Sequence, residues 1–262
     1  MGVPPGAGGP EDNRWPQRPR RMALAVSDDL VDRIVSGEFP VGSSIPKEAE
    51  LGRHYRASRT VIREAVQAAE AMRLVRAQQG RGTIVRPVDE WDAANPAVLA
   101  AMIRHDEQFA ILEDLVDLRR AHESQMAAHA AIRATPEDIS RITAAYEAAV
   151  AAAARNDPDA HMAADTAFHD AVWRASGNRL SRSLQNSLVP QLTSSSRFVG
   201  RPTQRDLRSA NEGHKKILTR IAAGDPAGAA RAMNEHITSS WLKRRPTEGA
   251  DPRLDAFRRK SA

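Results

Sequence analysis

Two sets of side chains in this sequence have the type and spacing to do chemistry. The first is Asp165, His169, His214 and His236. Asp165 and His169 are four residues apart on a predicted helix, so both project from one face. His214 and His236 follow 45 and 22 residues further on, each in a helix of its own. One carboxylate and three imidazoles from three helices can meet inside a bundle. Such a nitrogen and oxygen set suits a borderline divalent metal, zinc foremost, with nickel, manganese or iron as alternatives. It also leaves room for exchangeable ligands. Spacing leaves His161 open as well, since it lies four residues before Asp165. His122 and His129 are further helix histidines of the ordinary surface or core kind.

The second set is Arg59, Thr60 and Arg63, with Gln67, on one face of a predicted helix from 59 to 72. Ile62, Ala65, Val66, Ala69 and Met72 form its inward stripe. Arg59 and Arg63 project together from the first turns. Arginine can grip guanine O6 and N7 with two hydrogen bonds, and threonine can contact phosphate or a thymine methyl. Gly80-Arg81-Gly82 puts a further cation at the tip of a tight turn, where it can press on phosphate or a minor groove.

The elements that position these residues are helical for the most part. Among 262 residues there are 46 alanines, aromatics are only 4%, and cysteine is absent. Alanine is the best helix former. The absence of cysteine excludes disulfides, thiolate zinc fingers, iron–sulfur clusters and cysteine catalysis. No apolar run approaches the roughly 20 residues of a membrane span, and the first 21 residues lack the apolar segment of a secretory signal. A cytoplasmic protein without membrane attachment is expected. Charge is uneven: net +4 over residues 1–88, −3 over 89–242 and +4 over the last twenty. A basic front on a mildly acidic body hints at a nucleic-acid module.

Residues 1–21, rich in Pro, Gly and Arg, read as a disordered tail. A helix is predicted from Leu24 to Val35, on the recurrence of Leu24, Leu30, Val31, Ile34 and Val35. Phe39-Pro40-Val41-Gly42 reads as a turn, Pro46 opens a second helix, and Ser58 caps the third. Residues 74–77 and 83–86 read as two strands around a glycine-containing turn. Three helices and a hairpin over residues 22–88 make a winged helix-turn-helix. Residues 89–96 read as a linker. From 97 to 245 the pattern is all helical, broken at Thr135-Pro136, Asn156-Asp157-Pro158, Gly177-Asn178, Gly200-Arg201-Pro202 and Gly224-Asp225-Pro226. The expected fold is therefore mostly α: a winged head joined to a six- or seven-helix bundle, with a basic, disordered tail over 246–262.

Residues 24–87 resemble the GntR family of bacterial transcription regulators. The resemblance rests on Phe39-Pro40-x-Gly42, Ile45-Pro46-x-Glu48-x-Glu50-Leu51, Ser58-Arg59-Thr60-Val61-x-Arg63-Glu64-Ala65 and Gly80-Arg81-Gly82-Thr83-x-Val85. It implies that Arg59, Thr60 and Arg63 contact DNA from the recognition helix, and Gly80 and Arg81 from the wing. Some relatives place an arginine after the residue matching Glu48; this chain has Ala49. Residues 97–245 resemble the FCD ligand-binding domain of the FadR subfamily. That likeness rests on Leu115-x-x-Leu118-Arg119-x-x-x-Glu123, Asp165-x-x-Phe168-His169, Ser176-Gly177-Asn178, His214-x-x-Ile217-Leu218 and Ala229-x-x-Ala232-Met233-x-x-His236. It implies that Asp165, His169, His214 and His236 bind the metal, and that Arg119 meets the carboxylate of an effector. Read from spacing alone, Arg119 and Glu123 are an i,i+4 ion pair.

Together these readings predict a metabolite-responsive regulator, a repressor in its simplest form. It binds a pseudo-palindromic operator as a homodimer and is released by a small carboxylate or sugar acid at the metal. Two other classes use the same residues: a metal-dependent hydrolase built on the His/Asp cluster, and a constitutive architectural DNA binder. The hydrolase lacks an HExxH motif and an obvious general base. The architectural protein has no need of a metal and arginine pocket.

Overall fold

The computed structural model describes residues 17–106, 109–193 and 202–244. The chain divides into two compact units, Met1–Asp92 and Ala93–Ala262. Most of the segment read as an N-terminal tail and all of the tail after residue 245 lie outside the described residues.

The first unit has the predicted order of elements: α1 (Gln17–Val35), α2 (Glu48–Tyr55), α3 (Arg59–Ala71), then β1 (Val75–Gln78) and β2 (Gly82–Val85). Helix α1 begins at Gln17, inside the stretch read as a disordered tail. Its inward face is also shifted. Ala23, Val26, Leu30, Val31 and Ile34 are buried, while Leu24 is 59% exposed. A face at 23, 26, 30 and 34 keeps helical spacing, and Leu24 sits about 100° around from Ala23. Ser58 caps α3 by accepting from Val61 N. Val61, Ile62, Ala65 and Ala69 of α3 are buried and pack toward α1. Arg33, at the end of α1, reaches Glu38 and the Tyr55 hydroxyl, and its guanidinium lies 4.8 Å over the Phe39 ring. That contact pins the turn after α1 against α2.

Strands β1 and β2 pair antiparallel, Val75 opposite Val85 and Gln78 opposite Gly82. The preceding segment, read as a plain turn, joins this hairpin. Gly42 N donates to Val85 O, Val85 N to Ser43 O and Ile45 N to Thr83 O. Gly80 and Gly82 carry φ of +77° and +89°, which glycine alone adopts without strain. The residues read as a linker are ordered too. A 3-10 turn covers Val88–Glu90, and the Trp91 indole donates to Arg86 O.

The second unit is a bundle of α4 (Pro96–His105), α5 (Ala110–Arg133), α6 (Pro136–Ala154), α7 (Pro158–Ala175), α8 (Arg179–Thr193), α9 (Gln204–Ala222) and α10 (Pro226–Arg244). The Pro and Gly breaks mark real ends. Thr135 and Thr203 form capping boxes with Asp138 and Asp206, Asp157 caps α7, and Gly177 and Gly224 follow α7 and α9 with positive φ. Helix α5 runs through the middle, packed against α7, α8, α9 and α10. Leu112, Leu115, Val116, Ala127 and Ala130 of α5 join Phe168, Leu192, Ile217 and Met233 in one core. No helix among the described residues is long and apolar enough to cross a membrane.

Leu112 is fully buried in that core. Replacing it with alanine removes three carbons where the neighbours cannot fully collapse, so a loss of about 2–5 kcal/mol is expected. A urea melt of the full chain followed by circular dichroism checks it. An unchanged midpoint would show that the bundle does not depend on α5 as its central element.

Candidate metal centre and nucleic-acid face

Helices α7, α9 and α10 bring the four sequence-predicted ligands together. One donor atom each from Asp165, His169, His214 and His236 lies within 4.8 Å of the others. Asp165 and His169 come from one face of α7, His214 from the middle of α9 and His236 from α10. The three histidines are buried, and the Asp165 side chain is 36% exposed. The ring centroids of His214 and His236 are 4.4 Å apart, and both rings are within 5.5 Å of His169. Phe168 stacks on His214 at 4.2 Å and fixes its plane.

His214 provides the test of whether a cation fits. Neither of its ring nitrogens has a hydrogen-bond partner, although the residue is fully buried. Its Nε2 is only 3.3 Å from Asp165 Oδ1 but is not aligned for a hydrogen bond with it. An orphaned buried polar group costs about 1–3 kcal/mol, and a shared cation between the two would offset that cost. Protonation states agree. Burial lowers the pKa of His214 and takes that of His236 well below the usual imidazole range. Burial works to raise that of Asp165, but the His214, His169 and His236 rings together outweigh it and the carboxyl lies well below its ordinary value. A carboxylate and neutral imidazoles are the forms that ligate.

Other histidines serve elsewhere. His161 is buried, but its Nε2 pairs with Asn211 Oδ1 at 3.0 Å, and Asn211 donates to Ala149 O. That chain ties α7 to α9 and α6, and His161 is not part of the four-residue cluster. His129 pairs with Gln125 on its own helix.

Beside the cluster is a cavity of about 60 Å³. Asp165, His169, His236, Arg119, Trp173 and Trp241 are among the residues that line it. The Arg119–Glu123 pair expected from spacing is present, Nε to Oε1 at 2.7 Å, yet Arg119 also faces the cavity. A groove of about 220 Å³ between α9 and α10, with Lys216 and Lys243 on its walls, shares His236 and Ser240 with this cavity.

Two residues that the sequence does not place at the centre shape it. Glu123 is fully buried, and its Oε2 meets His169 Nδ1 at 2.6 Å and the Trp173 indole N–H at 3.1 Å. Burial alone would raise its pKa, but Arg119 and His169 pull it down to about 2. Gly213 lies where α9 meets α10. A Cβ there would stand 2.5 Å from His236 Nδ1. A glycine inside a helix directly before a ligand was the signal in the sequence.

In the first unit, Arg59, Thr60, Arg63 and Gln67 are exposed on α3, opposite the buried stripe. The Arg59 side chain is 90% exposed, with Glu48 of α2 3.7 Å away. Gly80 and Arg81 are exposed at the hairpin tip, where Arg81 N closes the turn onto Gln78 O at 3.0 Å. Recognition-helix and wing residues are thus presented to solvent.

Family models match both units of the chain. Residues 22–85 match the model of the gntR family of bacterial regulatory proteins, and residues 114–239 match that of the FCD domain. The chain belongs to the GntR family, with an FCD domain. It is a transcription regulator and not an enzyme. Among its relatives is the galactonate operon transcriptional repressor of Escherichia coli, 28% identical over 223 residues that cover 84% of this chain and 96% of that one. The LutR transcriptional regulator of Bacillus subtilis is 29% identical, covering 79% and 93%. The Glc operon transcriptional activator of Escherichia coli is 26% identical, covering 83% and 87%. A solved structure of Lar, which controls expression of the Listeria monocytogenes agr system, matches with a TM-score of 0.56 over 88% of this chain and 98% of that one. At 14% identity that likeness concerns the fold. FCD domains in some GntR-family members bind metal ions, and this regulator has a His/Asp cluster.

Gly213→Ala isolates the close approach of α9 to α10. By helix propensity alone, alanine stabilises such a position by about 1 kcal/mol. Here the added methyl must push the His236 ring aside, so zinc affinity is expected to fall about 10-fold or more, the scale for residues that orient a ligand. Calorimetric zinc titration checks it. A variant that melts higher and binds zinc as tightly as the wild type would refute the steric role.

Proposed function

We propose that this regulator binds a pseudo-palindromic operator as a homodimer and represses until a small carboxylate or sugar acid enters the FCD cavity. The observation that carries the reading is the shared cavity of Arg119, Asp165, His169 and His236. In this reading Asp165, His169, His214 and His236 hold a divalent ion, zinc before nickel, manganese or iron. A bound ion there supplies Lewis acidity toward a carboxylate and an adjacent hydroxyl. Arg119 takes the remaining carboxylate oxygens through its guanidinium fork.

The lining narrows the effector. Arg119 and the His/Asp cluster suit an acid's polar end, and Val189, Leu192 and Trp241 of the same cavity suit a short aliphatic end. A longer sugar acid would extend past His236 into the groove of Lys216 and Lys243.

On DNA, Arg59, Thr60 and Arg63 read bases, and Gly80 and Arg81 engage the backbone or minor groove. One short helix reads only a few base pairs, so two heads related by a two-fold axis double the site and mirror it in the operator. The effector acts by binding one of two conformations better. A coupling of about 1–3 kcal/mol weakens operator binding about 5–150-fold. The relatives include both a repressor and an activator. Repression is the simpler sign because it needs only occupancy of the operator.

An operator recovered by selection from random duplexes provides the probe for fluorescence anisotropy. Arg59→Ala is expected to cost about 1–3 kcal/mol and relax base preference. Arg81→Ala weakens all sequences alike and reduces the salt slope by about one. Wild-type operator affinity in Arg59→Ala would refute the assigned face. Arg119→Ala should bind the operator normally and fail to release it when short hydroxy acids are added to zinc-loaded protein. If it releases with the wild-type midpoint, the carboxylate clamp is wrong.

A further inference from the structure

We infer that Glu123 is a positioning residue whose single carboxylate sets both halves of the effector site, presenting the ligating nitrogen of His169 with one oxygen and anchoring Arg119 with the other. Glu123 lines neither the cavity nor the donor cluster. It is fully buried on α5 and takes three hydrogen bonds: Arg119 Nε at 2.7 Å, His169 Nδ1 at 2.6 Å and Trp173 Nε1 at 3.1 Å. The inference rests on the metal reading of the His/Asp cluster.

The chemistry follows from what each atom can do. A carboxylate only accepts, so His169 must donate from Nδ1. In the neutral ring the proton on Nδ1 leaves the Nε2 lone pair free. His169 is a member of the donor cluster, so the nitrogen freed is the one a metal needs. The Trp173 indole donates to the same Oε2 and holds that oxygen in line. A ligating imidazole whose second nitrogen donates to a carboxylate is both oriented and more basic. On the other side, Oε1 engages Arg119 through Nε, which directs the guanidinium from α5 toward the cavity it lines. Metal ligand and anion clamp thus take their positions from one buried group. Neither can rotate without breaking a bond to it.

A glutamate retained only for packing and charge balance would behave differently. It would matter for stability, but the tautomer of His169 and the metal affinity of the folded chain would not depend on it. Glu123→Gln keeps the shape and removes the charge. Its amide can turn an N–H toward His169, which moves the ring proton to Nε2 and blocks ligation.

The test uses the full chain with labelled histidine nitrogens and no added acid. In metal-free wild type, the His169 resonance, assigned by its loss in His169→Gln, is expected to report the Nδ1–H form. Zinc titration should give a dissociation constant about 10–100-fold weaker for Glu123→Gln than for wild type, with the His169 signal shifted away from Nδ1–H. An Nε2–H tautomer in the wild type overturns the inference and needs no variant, so it decides even if Glu123→Gln does not fold. Wild-type zinc affinity in a folded Glu123→Gln also overturns it. If wild type binds no zinc, nickel, manganese or iron, the metal reading fails, and the inference fails with it. A working metal site with an indifferent Glu123 sinks the inference alone.

Discussion

A fully buried carboxylate is among the most expensive groups a protein interior can hold unless it is paired and hydrogen-bonded. Glu123 meets that condition through an arginine one turn before it on α5 and two donors on α7, the His169 ring and the Trp173 indole. The three donors thus tie one buried charge to two helices. Much of the bundle's interior order follows from this. Helices α5 and α7 cannot slide past each other by a turn without stranding the charge. Trp173 also packs with Met126 and Val189, so the polar contact and the apolar packing fix the same register.

The donor cluster depends on where helices start and stop. A helix that began one residue early would rotate its side chains by about 100°, enough to turn a ligand away. Asp157 and Pro158 set the start of α7, and Thr203 with Asp206 sets that of α9. Asp225 accepts from Gly228 N at the start of α10. Each of these lies within about three turns of a ligand. Gly213 then allows α9 and α10 to approach until His214 and His236 are 4.4 Å apart between ring centres. The alanines of α6 that are buried, Ala149, Ala152 and Ala153, allow similarly close packing toward α7 from the outer side.

Local rules explain what could be read from the sequence. Proline, glycine and capping residues act within a few positions, so the bundle breaks and the helix–hairpin order of the head were legible. The four donors were grouped through the FCD resemblance, because spacing pairs Asp165 equally with His161 and His169 and does not reach His214 or His236. Leu24 is apolar yet points outward, because the buried face runs through Ala23 and Val26. The start of α1 at Gln17 was hidden by flanking prolines and arginines. Pairing of residues 42–45 with β2 is a contact across some 40 residues, with no local signature. By spacing, Glu123 is half of an i,i+4 ion pair. Only the approach of α7 shows that its other oxygen belongs to His169. His161 stayed ambiguous in sequence because its separation from Asp165 equals that of His169; Asn211 on a different helix takes it out of the cluster.

The same carboxylates bear on why this centre serves a regulator. Metal-assisted hydrolysis needs a base near the ion that can take a proton from water and give it up again. Among the described residues lining the cavity, Asp165 is the one carboxylate, and it belongs to the donor set. Glu123 is close to His169, but both of its oxygens already accept hydrogen bonds, and its pKa near 2 makes it a poor acceptor of another proton. Arg119 adds a fixed positive charge at the same cavity. In the proposed reading, an arginine and a bound cation lining one small cavity would favour an anion that stays intact. An arrangement that captures an acid and leaves it unchanged can report its concentration, and that is what an effector domain joined to a DNA-reading head requires.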